Sequence, residues 1–182
     1  DMNYINEISN KAQEYIKIEK IGSVSTFLGN DISINYDNKT LFINQHKYTL
    51  KILERFNIYN NHKPAQIPGD PGIKLRKNNS QASTYDIHEY QKQIGSLLYL
   101  ALKTRPDITF PVIYCSRFMS NPDTEHFNAL NKIWKYLLAY PELGLIWDCS
   151  GDNLSIKGYS DSDWGNNLED RKSTSAYIFR LS

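Results

Sequence analysis

Asp161 and Asp163 stand just past an alternating run, Leu154 to Tyr159, and their type and spacing suit metal chemistry. Carboxylates at a strand end offer the hard oxygen ligands that Mg²⁺ prefers. Two-metal phosphoryl transfer needs several of them around ions about 4 Å apart. The pair would share a face if the strand continued that far; an acidic loop would have the same spelling. Lys47, Lys51 and Arg55 form a second group, spaced i, i+4 and i+8 on one face of a helix. Such a stripe can displace counterions from a nucleic-acid backbone or simply face water. Other chemistries lack their parts. His46, His62, His88 and His126 have no close ligand spacing and no His-Glu-x-x-His pattern, and His126 reads as a cap or packing residue. No nucleophile motif surrounds the Ser, Cys and His residues, and Gly69, Gly72 and Gly95 do not make a phosphate loop. Cys115 and Cys149 alone exclude a four-Cys zinc site and make a disulfide scaffold untenable. The 13 Tyr could stack on bases, although Tyr90 and Tyr99 are more cheaply explained as core.

The elements that must position these groups follow from periodicity. With 182 residues, 40% hydrophobic and 23% charged, the chain has the profile of one ordinary globular domain or two small ones. No apolar run approaches the roughly 18 residues of a membrane span, and Asp1-Met2-Asn3 opens no signal-peptide pattern. The net charge of +1 hides an uneven distribution. Residues 39–77 carry eight Lys and Arg against Glu54 and Asp70, while both ends of the chain are acidic. A short helix is expected over Asn6 to Tyr15, then a strand from Tyr15 to Ile21. A longer strand follows over Thr26 to Tyr36, with a bulge or close backbone approach at Gly29. Asp37-Asn38-Lys39 turns it back into Thr40 to Asn44, a hairpin. From Tyr48 the period becomes helical, with Tyr48, Ile52, Leu53 and Phe56 on the inner face. Asn57 to Ser83, rich in Pro, Gly and Asn, reads as an extended connection, long enough to be a hinge or a partly disordered stretch.

A second helix is capped by Ser83 or Thr84 and buries Tyr90, Ile94, Leu97, Leu98 and Ala101. Thr104-Arg105-Pro106-Asp107 stops it and starts another, with Pro106 at a first helical position and Pro111 in the early turns. Asn121-Pro122-Asp123 is a turn and cap. Phe127, Leu130, Ile133, Trp134, Leu137 and Leu138 mark a third helix, ended by Pro141 and Gly144. Strand-like runs over Leu154 to Tyr159 and Ser175 to Leu181 close the chain. Strands, helices and strands in that order give an α+β class.

Several strings, taken in order, resemble the reverse transcriptase region of Ty1/copia-type retrotransposon Pol polyproteins. They are Phe27-Leu28-Gly29; Gln45 with Tyr48 and Phe56; Ile94-Gly95-Ser96-Leu97-Leu98-Tyr99-Leu100; and Thr104-Arg105-Pro106-Asp107-Ile108. Ser116-Arg117-Phe118, Pro122 with His126, Gly158-Tyr159-Ser160-Asp161-Ser162-Asp163-Trp164 and Arg171-Lys172-Ser173-Thr174-Ser175-Ala176-Tyr177 complete the series.

The resemblance implies an incomplete palm and thumb, a helical connection, and the first strands of a ribonuclease H-like sheet. Residues 1–45 would end the palm with a primer-grip-like hairpin whose core is Phe27, Leu28 and Gly29. Residues 46–150 would hold the thumb and connection helices around a flexible linker, 57–83. Residues 151–182 would begin the ribonuclease H portion. Asp1 corresponds to the second aspartate of the polymerase motif, and Asp161 to the first metal-binding aspartate of the ribonuclease H site; both would be catalytic and bind Mg²⁺. Lys47, Lys51 and Arg55 fall where the thumb tracks the template–primer backbone.

Fingers, most of the palm, and the later Glu and Asp of the ribonuclease H site are not in the chain, and Ala176 stands where the family usually has Gly. The expectation is therefore a fragment of a polyprotein whose inherited role is RNA-directed DNA synthesis. By itself it would bind an RNA–DNA hybrid or template–primer without catalysis. The alternatives are a retained nucleic-acid- or polymerase-binding module and an inert remnant. Partners would include the rest of the parent polyprotein but no membrane, and the setting would be intracellular, in a cytoplasmic virus-like particle or the nucleus.

Overall fold

A computed structural model describes residues 2–19, 22–61, 63–70, 72–151, 155–162, 173 and 175–181. The chain starts with helix α1 (Met2–Gln13), an amphipathic segment that leaves Tyr4, Ile5 and Ile8 exposed. The strand expected from Tyr15 does not form among the described residues 15–19, and Ile16 is exposed. Its Ile-x-Ile alternation is short and meets no neighbouring strand there, so no ladder holds it extended.

Strands β1 (Thr26–Phe27), β2 (Asn30–Asn35), β3 (Thr40–Asn44) and β4 (Gly144–Asp148) form an antiparallel sheet in that order. The run expected as one strand from Thr26 reverses at Leu28–Gly29, where φ is +49° and +77°. Two successive positive φ values are the signature of a tight two-residue hairpin turn. The β2–β3 hairpin forms as expected, with Asn35 opposite Thr40 and the Asn38 N–H donating to Asn35 Oδ1 at 2.9 Å. Register places Ile32, Ile43 and Leu145 in one row and Ile34, Leu41 and Trp147 in the next, all on one face of the sheet.

Helices α2 (His46–Arg55), α3 (Ile58–Asn61), α4 (Thr84–Ala101), α5 (Thr109–Ser116) and α6 (Thr124–Ala139) enclose the core. The stripes read from periodicity converge there. Ile52, Leu53, Tyr90, Ile94, Leu97, Leu130, Ile133, Trp134 and Leu137 are all buried. Ser83, rather than Thr84, caps α4, its Oγ accepting the Asp86 N–H. Asp123 caps α6 in a reciprocal box: Asp123 Oδ1 accepts the His126 N–H, and His126 Nδ1 accepts the Asp123 N–H. Pro106 opens a single 3₁₀ turn (Pro106–Ile108), and Pro111 sits in the first turn of α5, where a missing N–H costs nothing.

The segment expected as an extended connection crosses the helices and is fixed to them at several points. Ile58 and Leu75 are buried in the core. The Leu75 N–H donates to Tyr114 Oη, the Ala65 N–H to the Lys135 carbonyl, and the Asn121 amide to the carbonyls of Asn78 and Ser80. Past Asp148, strands β5 (Ile156–Ser162) and β6 (Ser175–Leu181) pair antiparallel as a separate ribbon, exposed along its whole length. The class is α+β, as expected.

Candidate nucleic-acid interface

Helix α2 is oriented by what it buries. Thr49, Ile52 and Leu53 face the core, which turns Lys47, Lys51 and Arg55 outward, all three exposed. Its N-cap residue, Gln45, makes no side-chain cap; Asp31 on β2 takes that place. The Asp31 carboxylate accepts the Lys47 N–H at 3.3 Å and lies 3.0 Å from its ammonium. Burial pushes the Asp31 carboxyl up, but the Lys47 hydrogen bonds and charge outweigh it and leave the group below the ordinary value. So the first cation of the stripe is held against the sheet. At the other end the Arg55 guanidinium lies over the Phe56 ring, 5.4 Å from its centroid.

The Leu28–Gly29 turn is anchored on the helical layer. Tyr99 of α4 donates its hydroxyl to the Leu28 carbonyl at 2.9 Å. A Cβ on Gly29 would stand 2.7 Å from that hydroxyl, so Gly29 marks a turn closely approached by a side chain rather than the bulge or backbone approach expected there. Tyr99 also packs edge-on against Tyr48 of α2, ring centroids 4.9 Å apart. Tyr90 lies in the core as expected, whereas Tyr99 is only half-buried at this junction.

Tyr48, Gln91, Lys92, Gly95, Ser96 and Tyr99 line a shallow groove along α4. Nothing lies within 4 Å of the position a Cβ would take on Gly95, so the helix backbone is bare there. Burial raises the Tyr48 phenol above its ordinary value. Phe27 and Leu28 are 60% and 68% exposed beside the groove. The sequence reading named Phe27, Leu28, Gly29 and the α2 stripe but missed the turn itself and Gln91, Lys92 and Gly95 as groove residues, and it placed Tyr99 in the core. The available signal was Gly95, a helix-interior glycine that serves no cap or turn.

Of the two aspartates expected to bind metal, Asp1 lies outside the described residues, as does Asp163, the neighbour of Asp161 that is assigned no metal. Asp161 is exposed on β5 opposite Ala176, its Oδ1 accepting the Ser162 N–H at 2.9 Å. Among the described residues no group of three His, Cys, Asp or Glu side chains converges on a metal position. A single carboxylate does not make a Mg²⁺ site. Nor, among the described residues, is any helix long and apolar enough to cross a membrane.

No family model matches the chain, and no solved structure matches it. Curated proteins do. Over 190 residues, covering all of this chain, it is 31% identical to the retrovirus-related Pol polyprotein from transposon TNT 1-94 of Nicotiana tabacum. Over 141 residues, 78% of the chain, it is 40% identical to the retrovirus-related Pol polyprotein from transposon RE1 and 38% to that from RE2, both of Arabidopsis thaliana. The chain spans 14% of the length of the first relative and 9% of each of the other two.

Proposed function

Because this chain belongs to the copia-type family of retrotransposon Pol polyproteins, we propose that it is the part of one that grips template–primer or an RNA–DNA hybrid. The gripping surface is built from the outer face of α2, the α4 groove and the Leu28–Gly29 turn. It holds nucleic acid and does not complete a catalytic step alone. One observation carries the reading: three strings separated in sequence meet at Tyr99, which touches the turn by a hydrogen bond and α2 through Tyr48. The parts suit a duplex backbone. Lys51 and Arg55 supply charge for phosphates. The bare backbone at Gly95 lets a sugar approach α4 closely. Tyr48 and Tyr99 supply flat apolar surface with hydroxyls. Because phosphate and sugar contacts carry no sequence information, binding is expected to be sequence-tolerant.

The β5–β6 ribbon is the start of a ribonuclease H-like sheet in this reading. Asp161 would contribute one oxygen toward Mg²⁺ in the parent polyprotein, with its other donors coming from beyond the described residues.

The test is binding of a labelled RNA–DNA hybrid across a salt series, with two variants beside the parent chain. Lys47/Lys51/Arg55→Ala should weaken binding and reduce the slope of log K against log salt by about one per lost phosphate contact. Lys47, neutralised by Asp31, should contribute least to that change. Gly95→Leu should weaken binding while leaving the slope nearly intact, since it blocks approach without removing charge. Salt-independent binding, or variants that match the parent, would overturn the proposal and leave only the family assignment.

A further inference from the structure

Between α5 and α6 lies a cavity of about 300 Å³ that shares no lining residue with the α4 groove. Phe110, Pro111, Tyr114 and Cys115 of α5 form one wall, Ala129 and Lys132 of α6 another, and Pro68, Gly69, Asp70 and Ile73 the cover. The cover is pinned on both sides. Asp70 pairs with Lys132 across α6, and the Leu75 N–H donates to Tyr114 Oη at 3.0 Å across α5. Gly69 lets the cover settle on Pro111, since a Cβ there would come 3.3 Å from the Pro111 ring. The Phe110 and Tyr114 rings, both lining the cavity, are parallel to within 3°, centroids 6.1 Å apart. Ala129 leaves space where a larger side chain would close it.

Among the described residues, every charged group lining the cavity already has its partner. Asp70 is neutralised by Lys132. Asp107 is held by the Arg105 guanidinium at 2.9–3.2 Å and by the Tyr136 hydroxyl at 2.9 Å. A charged guest would lose its hydration and find no unpaired counter-charge. An uncharged one would exchange water for aromatic and aliphatic contacts. The volume lies at the lower end of the range for small-molecule sites. We propose that this cavity is a binding site for a small, planar, uncharged aromatic molecule, which enters beside Phe110 and lies against Tyr114 and Ala129.

The test uses indole as the probe and the whole chain as the receptor, followed by equilibrium dialysis and by aromatic and methyl NMR shifts. Indole is expected to bind saturably at millimolar concentration or below, moving the Phe110, Tyr114 and Ala129 signals. Tryptamine and indole-3-acetate, each carrying a charge, are expected to bind at least about tenfold more weakly. Ala129→Leu should fill the space and weaken indole by about tenfold or more. Should that variant fail to fold, Phe110→Ala removes a wall from an exposed position and should weaken indole without unfolding the chain. No saturable binding, equal affinity for the charged probes, or parent-like binding by the folded variants would each overturn the proposal.

Discussion

Arg105 is 1% exposed yet carries a full charge, and its surroundings account for that. Its guanidinium donates to both Asp107 oxygens and, at 2.8 Å, to the Tyr140 carbonyl, while the Tyr136 ring lies 5.6 Å away. Removing a buried cation of this kind strips Asp107 of its counter-charge, leaving it the Tyr136 hydroxyl, and takes this donor from the Tyr140 carbonyl. Arg105→Ala should therefore cost about 3 kcal/mol in urea unfolding, toward the lower end for a broken buried pair because Asp107 is partly exposed. A loss under about 1 kcal/mol would show the network to be dispensable. At Asp31 the expectation concerns pH. Its carboxyl is below the ordinary value in the folded chain, so its contribution is present above the unfolded value and is lost as pH falls through the folded one. Asp31→Asn should lower the melting temperature at neutral pH, and the gap to the parent should close on acidification below the usual carboxylate range. A gap unchanged at low pH would exclude the Lys47 pairing as its source. The cationic stripe was legible because its three members sit within one helix. The Arg105 network and the Tyr99 junction were not: Tyr136 lies 29 residues from Asp107, and Tyr99 lies 71 from Leu28. Local spacing carries no trace of either contact.

Strand β4 shows how an element can escape a reading by pattern. Leu145, Ile146 and Trp147 are all apolar, so the alternation that marks a half-buried strand is masked, although Ile146 is 70% exposed and its neighbours are half-buried. Pro141 and Gly144 were legible only as the end of α6. In the structure Gly144 has a second role. A Cβ there would stand 2.4 Å from the Ile43 carbonyl oxygen and 2.6 Å from Asn44 Cβ, so only glycine lets β4 approach β3 at this end. Gly144→Ala should destabilise the chain by about 1–3 kcal/mol. The loss of protection should fall on the β3 and β4 amides first in hydrogen exchange; uniform loss across the helices would contradict it. The helices were legible because long stripes and their caps agree. Asp123 illustrates the agreement, since the Asn-Pro-Asp spelling and the observed capping box mark the same residue. Asp123→Ala should cost about 1–2 kcal/mol, read as a lower urea midpoint with an unchanged slope.

At the scale of the whole molecule the contacts divide unevenly along the chain. The four-stranded sheet closes only when β4 returns to β3, which pairs Thr40 with Asp148 and joins the two ends of the stretch 26–148. Helices α2 to α6 share one buried cluster within that stretch. The β5–β6 ribbon has no comparable burial. Ile156, Tyr159, Tyr177, Ile178, Phe179 and Leu181 are between 49% and 78% exposed, with one ring contact among the described residues, between Tyr177 and Phe179. A two-stranded ribbon without a covered face is marginal in water, and its free edges invite pairing with another chain. Hydrogen exchange on the intact chain should therefore show the 156–162 and 175–181 amides opening at far lower free energy than those of α4 and α6. Removing residues 151–182 should leave the melting temperature of the remainder within about 2 °C, because a ΔΔG near zero shifts it little in a chain of this size. It should also reduce aggregation at high concentration, since the exposed ribbon edges go with it. Equal protection of ribbon and helices, or a truncated chain that no longer melts cooperatively, would mean that the ribbon is energetically joined to the body and that its apolar face is covered there.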